Sequence, residues 1–127
     1  MKDFIPYKEA KTLKQLGFDE YCLGYYNIDP YLPNPTFNLV KPFDHEWCLP
    51  APLYQQAFRW FREKKLSDSC VCRYQGKNDG GVYYYYVITK DFGVEETRHY
   101  KEGFFTYEEA ELACLKKLIE LVKSSRD

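Results

Sequence analysis

A chain of 127 residues with 45% hydrophobic and 29% charged residues is long enough to bury a core and too apolar to stay disordered. Its formal net charge is -1, which lacks the basic excess of proteins that grip nucleic acid by neutralising phosphates. It holds no apolar run of the roughly 18 residues that a membrane span needs. Aromatics stand out at 19%, with 13 Tyr and 9 Phe, and tyrosine, apolar in its ring and polar at its tip, suits half-buried sheets and interfaces.

The opening MKDFIPYKEA lacks the apolar stretch of an export leader, so a cytoplasmic protein is expected. The five cysteines, Cys22, Cys48, Cys70, Cys72 and Cys114, are odd in number and scattered, and are read as reduced thiols. In chain order, residues 6 to 16 predict a helix: Tyr7, Ala10, Leu13 and Leu16 recur at helical spacing, and Gly17 is placed to end it. Residues 21 to 27 read as a strand. A turn rich in proline follows, and residues 36 to 40 return as the second strand of a hairpin. Residues 41 to 50 are expected to be a connector. Residues 52 to 65 predict a second helix, with Pro52 in its first position and an apolar face of Leu53, Tyr54, Ala57, Phe58, Trp60 and Phe61.

Residues 69 to 75 alternate as a strand, GKNDGG (76 to 81) signals a turn, and residues 82 to 89, VYYYYVIT, are β-branched or aromatic throughout and predict a strand. Asp91 and Gly93 mark a further turn, and residues 94 to 101 complete a meander. Thr106 and Glu109 form a capping box at the start of a last helix, the hydroxyl taking one free N–H and the carboxylate returning to another. The apolar residues of that helix, from Ala110 to Val122, cover well over half its circumference, so a second helix or a partner must cover what one sheet face leaves. The predicted class is α+β: a three-stranded antiparallel sheet with helices on one face, a helix and hairpin preceding it, the hairpin extending the sheet. A single domain is expected over 1–127, with residues 1–50 as an extension on a core of residues 51–124.

From residue 51 the order helix, three strands, helix resembles the double-stranded RNA-binding domain, and GFFTYEEAELACLKKLIELV is similar to that family's last strand and second helix. The resemblance covers residues 51 to 124 and implies that fold. It does not carry the grip on RNA. The positions matching the family's lysine-rich helix start are Tyr107, Glu108, Glu109, Ala110 and Glu111, whose carboxylates repel phosphate, and Lys77 is the only cation of the matching loop. The phrases APLYQQAFRWFREK, LGFDEYCLGYY and TYEEAELACLKKLIE, spread over nearly the whole chain, also resemble a family of small proteins of gut-type bacteria, their phages and mobile elements. That resemblance implies an accessory role and no particular activity.

Several constellations bear on chemistry. Cys70 and Cys72 share a strand face, and His45 with Cys48 has the spacing of a second half-site, but zinc ligands normally pair at Cys-x(2–4)-Cys turns; small inward hydrophobes are the favoured reading, with no metal and no cofactor. Asp44, His45 and Glu46 are adjacent and cannot converge on an extended chain, and His99 is read as a surface or cross-strand polar residue. The glycines of 76 to 81 lack nucleotide-loop spacing and join two strands. Along the tyrosine strand, Val82, Tyr84, Tyr86 and Ile88 form the more core-like face, and Cys70, Cys72 and Tyr74 are expected beside them. The opposite, outer face is then predicted to show Tyr83 and Tyr85 beside Arg73 and Gln75. This face is the candidate binding site. The expected function is non-enzymatic: a small binding or accessory protein that holds a protein partner, or a second copy of itself. RNA binding through the family-like fold and an enzyme with an unrecognised site stay as alternatives.

Overall fold

The computed structural model describes residues 3–31, 34–39, 47–76, 80–90 and 97–124, residue 90 and residues 97–102 by their backbone alone. The elements run α1 (Tyr7–Gln15), β1 (Gly24–Asn27), β2 (Thr36–Asn38), β3 (Cys48–Ala51), α2 (Tyr54–Lys65), β4 (Ser67–Gln75), β5 (Val82–Lys90), β6 (Thr97–Phe104) and α3 (Tyr107–Ser124). The chain is α+β, with two separate antiparallel sheets of order β2-β1-β3 and β4-β5-β6. The expected hairpin is present, yet it does not extend the meander; it pairs instead with β3. Contacts divide the chain into two compact units, Met1–Ala57 and Phe58–Asp127, with the boundary inside α2.

In the first unit the helix α1 buries Ala10 and Leu13. It ends in a Schellman arrangement at Gly17, whose φ is 108°. The Phe18 N–H donates to the Leu13 carbonyl at 3.0 Å and the Gly17 N–H to the Lys14 carbonyl at 3.1 Å, so two carbonyls left open by the helix end are used. Leu13 and Phe18 are both buried, which is the apolar contact that accompanies this cap. The expected connector at 41 to 50 is in part a strand: β3 pairs with β1 from Gly24–Ala51 to Asn27–Cys48. Pro50 stands within β3, which lies at the sheet edge, where a missing N–H costs no ladder bond. Pro52 also departs from expectation. It precedes the helix, its carbonyl accepts from the Ile5 N–H at 2.9 Å, and the first helical N–H, of Tyr54, donates to the Asp3 carbonyl at 3.2 Å.

Gly24 opens a notch in this sheet. A Cβ there would lie 2.7 Å from the Phe37 ring and 2.8 Å from the Phe4 ring, so only glycine lets the two rings meet at 4.8 Å between centroids. Tyr26 continues the stack at 5.5 Å from Phe37, and its hydroxyl donates to the Ile5 carbonyl at 2.8 Å.

In the second unit β4 and β5 pair without interruption from Ser67–Lys90 to Gln75–Val82, and β5 pairs with β6 across an irregularity between Tyr84 and Tyr86. The helix α3 packs on one face of this sheet. Its buried positions are Ala110, Glu111, Cys114, Leu115, Leu118, Ile119 and Val122, a stripe at helical spacing. The capping box is half as expected. The Glu109 N–H donates to Thr106 Oγ1 at 3.1 Å, but the Glu109 carboxylate accepts from the Thr106 hydroxyl at 3.0 Å rather than from a backbone N–H.

Candidate functional site

Across an antiparallel pair, residues directly opposite project to the same side. The register sets Tyr74 opposite Tyr83, Cys72 opposite Tyr85 and Cys70 opposite Val87. These side chains form the sheet face turned away from α3, as the buried Ile88 and Tyr86 belong to the other. Tyr74 lies between its neighbours, with ring centroids 5.7 Å from Tyr83 and 5.6 Å from Tyr85. Phe105 adds a fourth ring, 5.8 Å from Tyr83 and 72% exposed. An aromatic residue just before a capping threonine ordinarily folds onto the helix as a staple; here it turns toward the tyrosines. Tyr74, Tyr83 and Tyr85 are half-buried.

Tyr83 and Tyr85 therefore share the outer face as predicted, but Arg73 and Gln75 do not join them. Arg73 is opposite Tyr84 and Gln75 is opposite Val82, which places both on the α3 side, at its open end. The Tyr84 ring meets Tyr107 of α3 there at 6.0 Å, while Val82 is 40% exposed. The reason is arithmetic. Six residues separate the paired Gln75 and Val82, so even positions of β4 share a face with odd positions of β5. The outer side of β4 therefore carries Cys70, Cys72 and Tyr74, expected on the core side, in place of Val71, Arg73 and Gln75.

The two outer-face thiols touch: Cys70 Sγ and Cys72 Sγ are 3.6 Å apart. Burial, followed by the neighbouring Cys72, pushes the Cys70 thiol above its ordinary value. Cys22, Cys48 and Cys114 are buried. Cys114 faces the sheet from α3, and burial raises its thiol to about 12 against a smaller lowering by the Ser69 hydroxyl. Of the proposed second half-site, Cys48 is a buried residue of β3, whereas His45 lies outside the described residues, as do Asp44, Glu46 and Lys77. His99 occupies β6 opposite Ile88. Among the described residues no three His, Cys, Asp or Glu side chains gather as a metal site.

A second concavity belongs to the first unit. Tyr7, Lys11, Lys14 and Gln15 of α1 line it with Ile28 and Leu49, and its volume is about 310 Å³. The lining presents two amines and a phenol over an apolar floor.

At the start of α3 Glu108 and Glu109 are exposed while Glu111 is buried. Among the described residues no helix is long and apolar enough to cross a membrane. Comparison of the chain with protein-family models, curated proteins and solved structures gives no match.

Proposed function

We propose that this chain is a non-enzymatic binding module, and that the outer face of the β4–β5–β6 sheet takes up a protein partner. The observation that carries the reading is the ring cluster of Tyr74, Tyr83, Tyr85 and Phe105. Rigid aromatic side chains give much contact area for little lost rotamer freedom, which is why they anchor protein interfaces. The described side chains of this face include Asp68, Cys70, Cys72 and the tyrosines, which offer stacking surface and an acidic group rather than a row of cations.

RNA is the second reading, disfavoured by the net charge of -1 and by the exposed Glu108 and Glu109 at the start of α3. The order α2, β4, β5, β6, α3 is that of the double-stranded RNA-binding domain, and it supports an RNA reading only as topology. The resemblance to proteins of phages and mobile elements supports an accessory role in that setting. A reducing, cytoplasmic location is part of the proposal, supported by five free thiols.

The test is a pair of titrations. Fluorescence anisotropy with a short RNA duplex at two salt concentrations is expected to show no binding; micromolar binding that weakens with salt would replace the protein reading with the RNA one. Affinity capture followed by direct binding to the captured protein is expected to lose that protein in Tyr83→Ala/Tyr85→Ala. Wild-type affinity in the double variant would refute the aromatic face as the site.

A further inference from the structure

We propose that Cys70 and Cys72 form a two-thiolate clamp for a single thiophilic ion of the zinc class on the outer face of β4. The separation of the sulfurs is the first argument. A tetrahedral ion with metal–sulfur bonds of about 2.3 Å holds two thiolates about 3.8 Å apart. The observed distance is 3.6 Å, so both sulfurs can reach one ion with almost no movement. A disulfide needs about 2.05 Å.

The backbone gives the second argument. At a rise of about 3.3 Å per residue the Cα atoms of positions 70 and 72 lie about 6.7 Å apart, at the outer limit for a disulfide. The ladder from Ser67 to Gln75 is unbroken. Closing an S–S bond would pull Val71 out of its pairing with Tyr86, whereas ligation leaves the ladder intact. Extended geometry thus favours chelation over oxidation.

Access is the third argument. Cys70 is exposed and Cys72 half-buried, while the other three cysteines are buried. Tyr85, opposite Cys72, and Tyr74, two residues further along β4, stand beside the sulfurs. The nearest carboxylate along the same strand face, Asp68, accepts from the Ser69 N–H at 2.9 Å and lies 4.0 Å from Arg62. No third protein ligand gathers with the pair among the described residues, so water fills the remaining positions and the site is open. Each thiol passes its proton to the solvent as its metal–sulfur bond forms, so two protons leave for each ion bound.

The experiment is a Cd2+ titration of the reduced full chain, followed by thiolate-to-metal charge transfer in the near ultraviolet. One equivalent should saturate a band with the amplitude of two thiolates, and a large excess of Zn2+ should compete it away. Cys70→Ser and Cys72→Ser should each weaken binding at least tenfold, with circular dichroism confirming an unchanged fold. No band in the wild type, or the same band in the double Cys70→Ser/Cys72→Ser variant, would overturn the proposal. Saturation at half an equivalent with four thiolates would also overturn it, in favour of an ion shared by two copies.

Discussion

The two faces of the β4–β5–β6 sheet are made from the same residue types and put to opposite uses. Tyr86 and Ile88 on one face are buried under α3, Ile88 fully so. One position along the strand, Tyr85 and Val87 look the other way and are half-buried. Tyrosine by itself does not say which face is the core; the neighbour it meets decides. Where α3 packs on the sheet, the ring is buried. Where the neighbours are other rings and the Cys70–Cys72 pair, it stays half-buried.

That contrast can be broken most sharply at Ile88. Ile88→Ala should cost about 2–5 kcal/mol, the range for emptying a closed aliphatic site, read as a drop in the denaturant midpoint at constant slope. A cost below about 1 kcal/mol would mean that α3 does not close on this face.

The second effect is one of pH. The Cys114 thiol is raised from 9.0 to about 12 by burial, and Cys22 likewise to about 12, by burial and then Glu20. Between those values the folded chain keeps protons that the unfolded chain has lost. Stability is therefore untouched below pH 9 and should fall above it, by up to about 1.4 kcal/mol per pH unit for each thiol. Urea melts from pH 8 to 11 should show a shallower alkaline fall in Cys114→Ala than in the wild type.

Leu66 provides a gain of about 1 kcal/mol. It holds a φ of 54° between α2 and β4, in the left-handed region that disfavours side chains. Leu66→Gly should raise the midpoint without touching either face. The smallest effect belongs to the outer rings: Tyr85→Ala should cost less than about 1 kcal/mol in a melt, while removing the partner's grip. A large stability loss there would make Tyr85 a core residue and sink the comparison.

The local features were the legible ones. Gly17 as a helix end, Thr106 as a cap and the run from Val82 as a strand all follow from the chemistry of a few adjacent residues, and they stand in the structure. What failed depends on residues far apart. β3 escaped notice because Pro50 discourages a strand everywhere except at an edge, and only the assembled sheet says which strand is the edge. The meander was expected to accept the hairpin, yet β1 pairs on both its sides with β2 and β3 and leaves nothing over. Tyr83 and Tyr85 could be grouped by alternation within one strand. Their true neighbours, Tyr74, Cys70 and Cys72, depended on the pairing between two strands, and Phe105 on a turn outward that its place before Thr106 does not announce.

The six residues between Gln75 and Val82, closed by the Gly76 N–H donating to the Gly81 carbonyl at 2.7 Å, have a consequence for how this protein can change over generations. The pairing parity, and not the length of the turn, assigns each side of β4: a slip of β4 against β5 by one residue would set Arg73 among the tyrosines and take the cysteine pair toward α3. Such a slip would also turn Ser67, buried on the α3 side, outward, so burial holds the register and the turn absorbs a residue gained or lost within it.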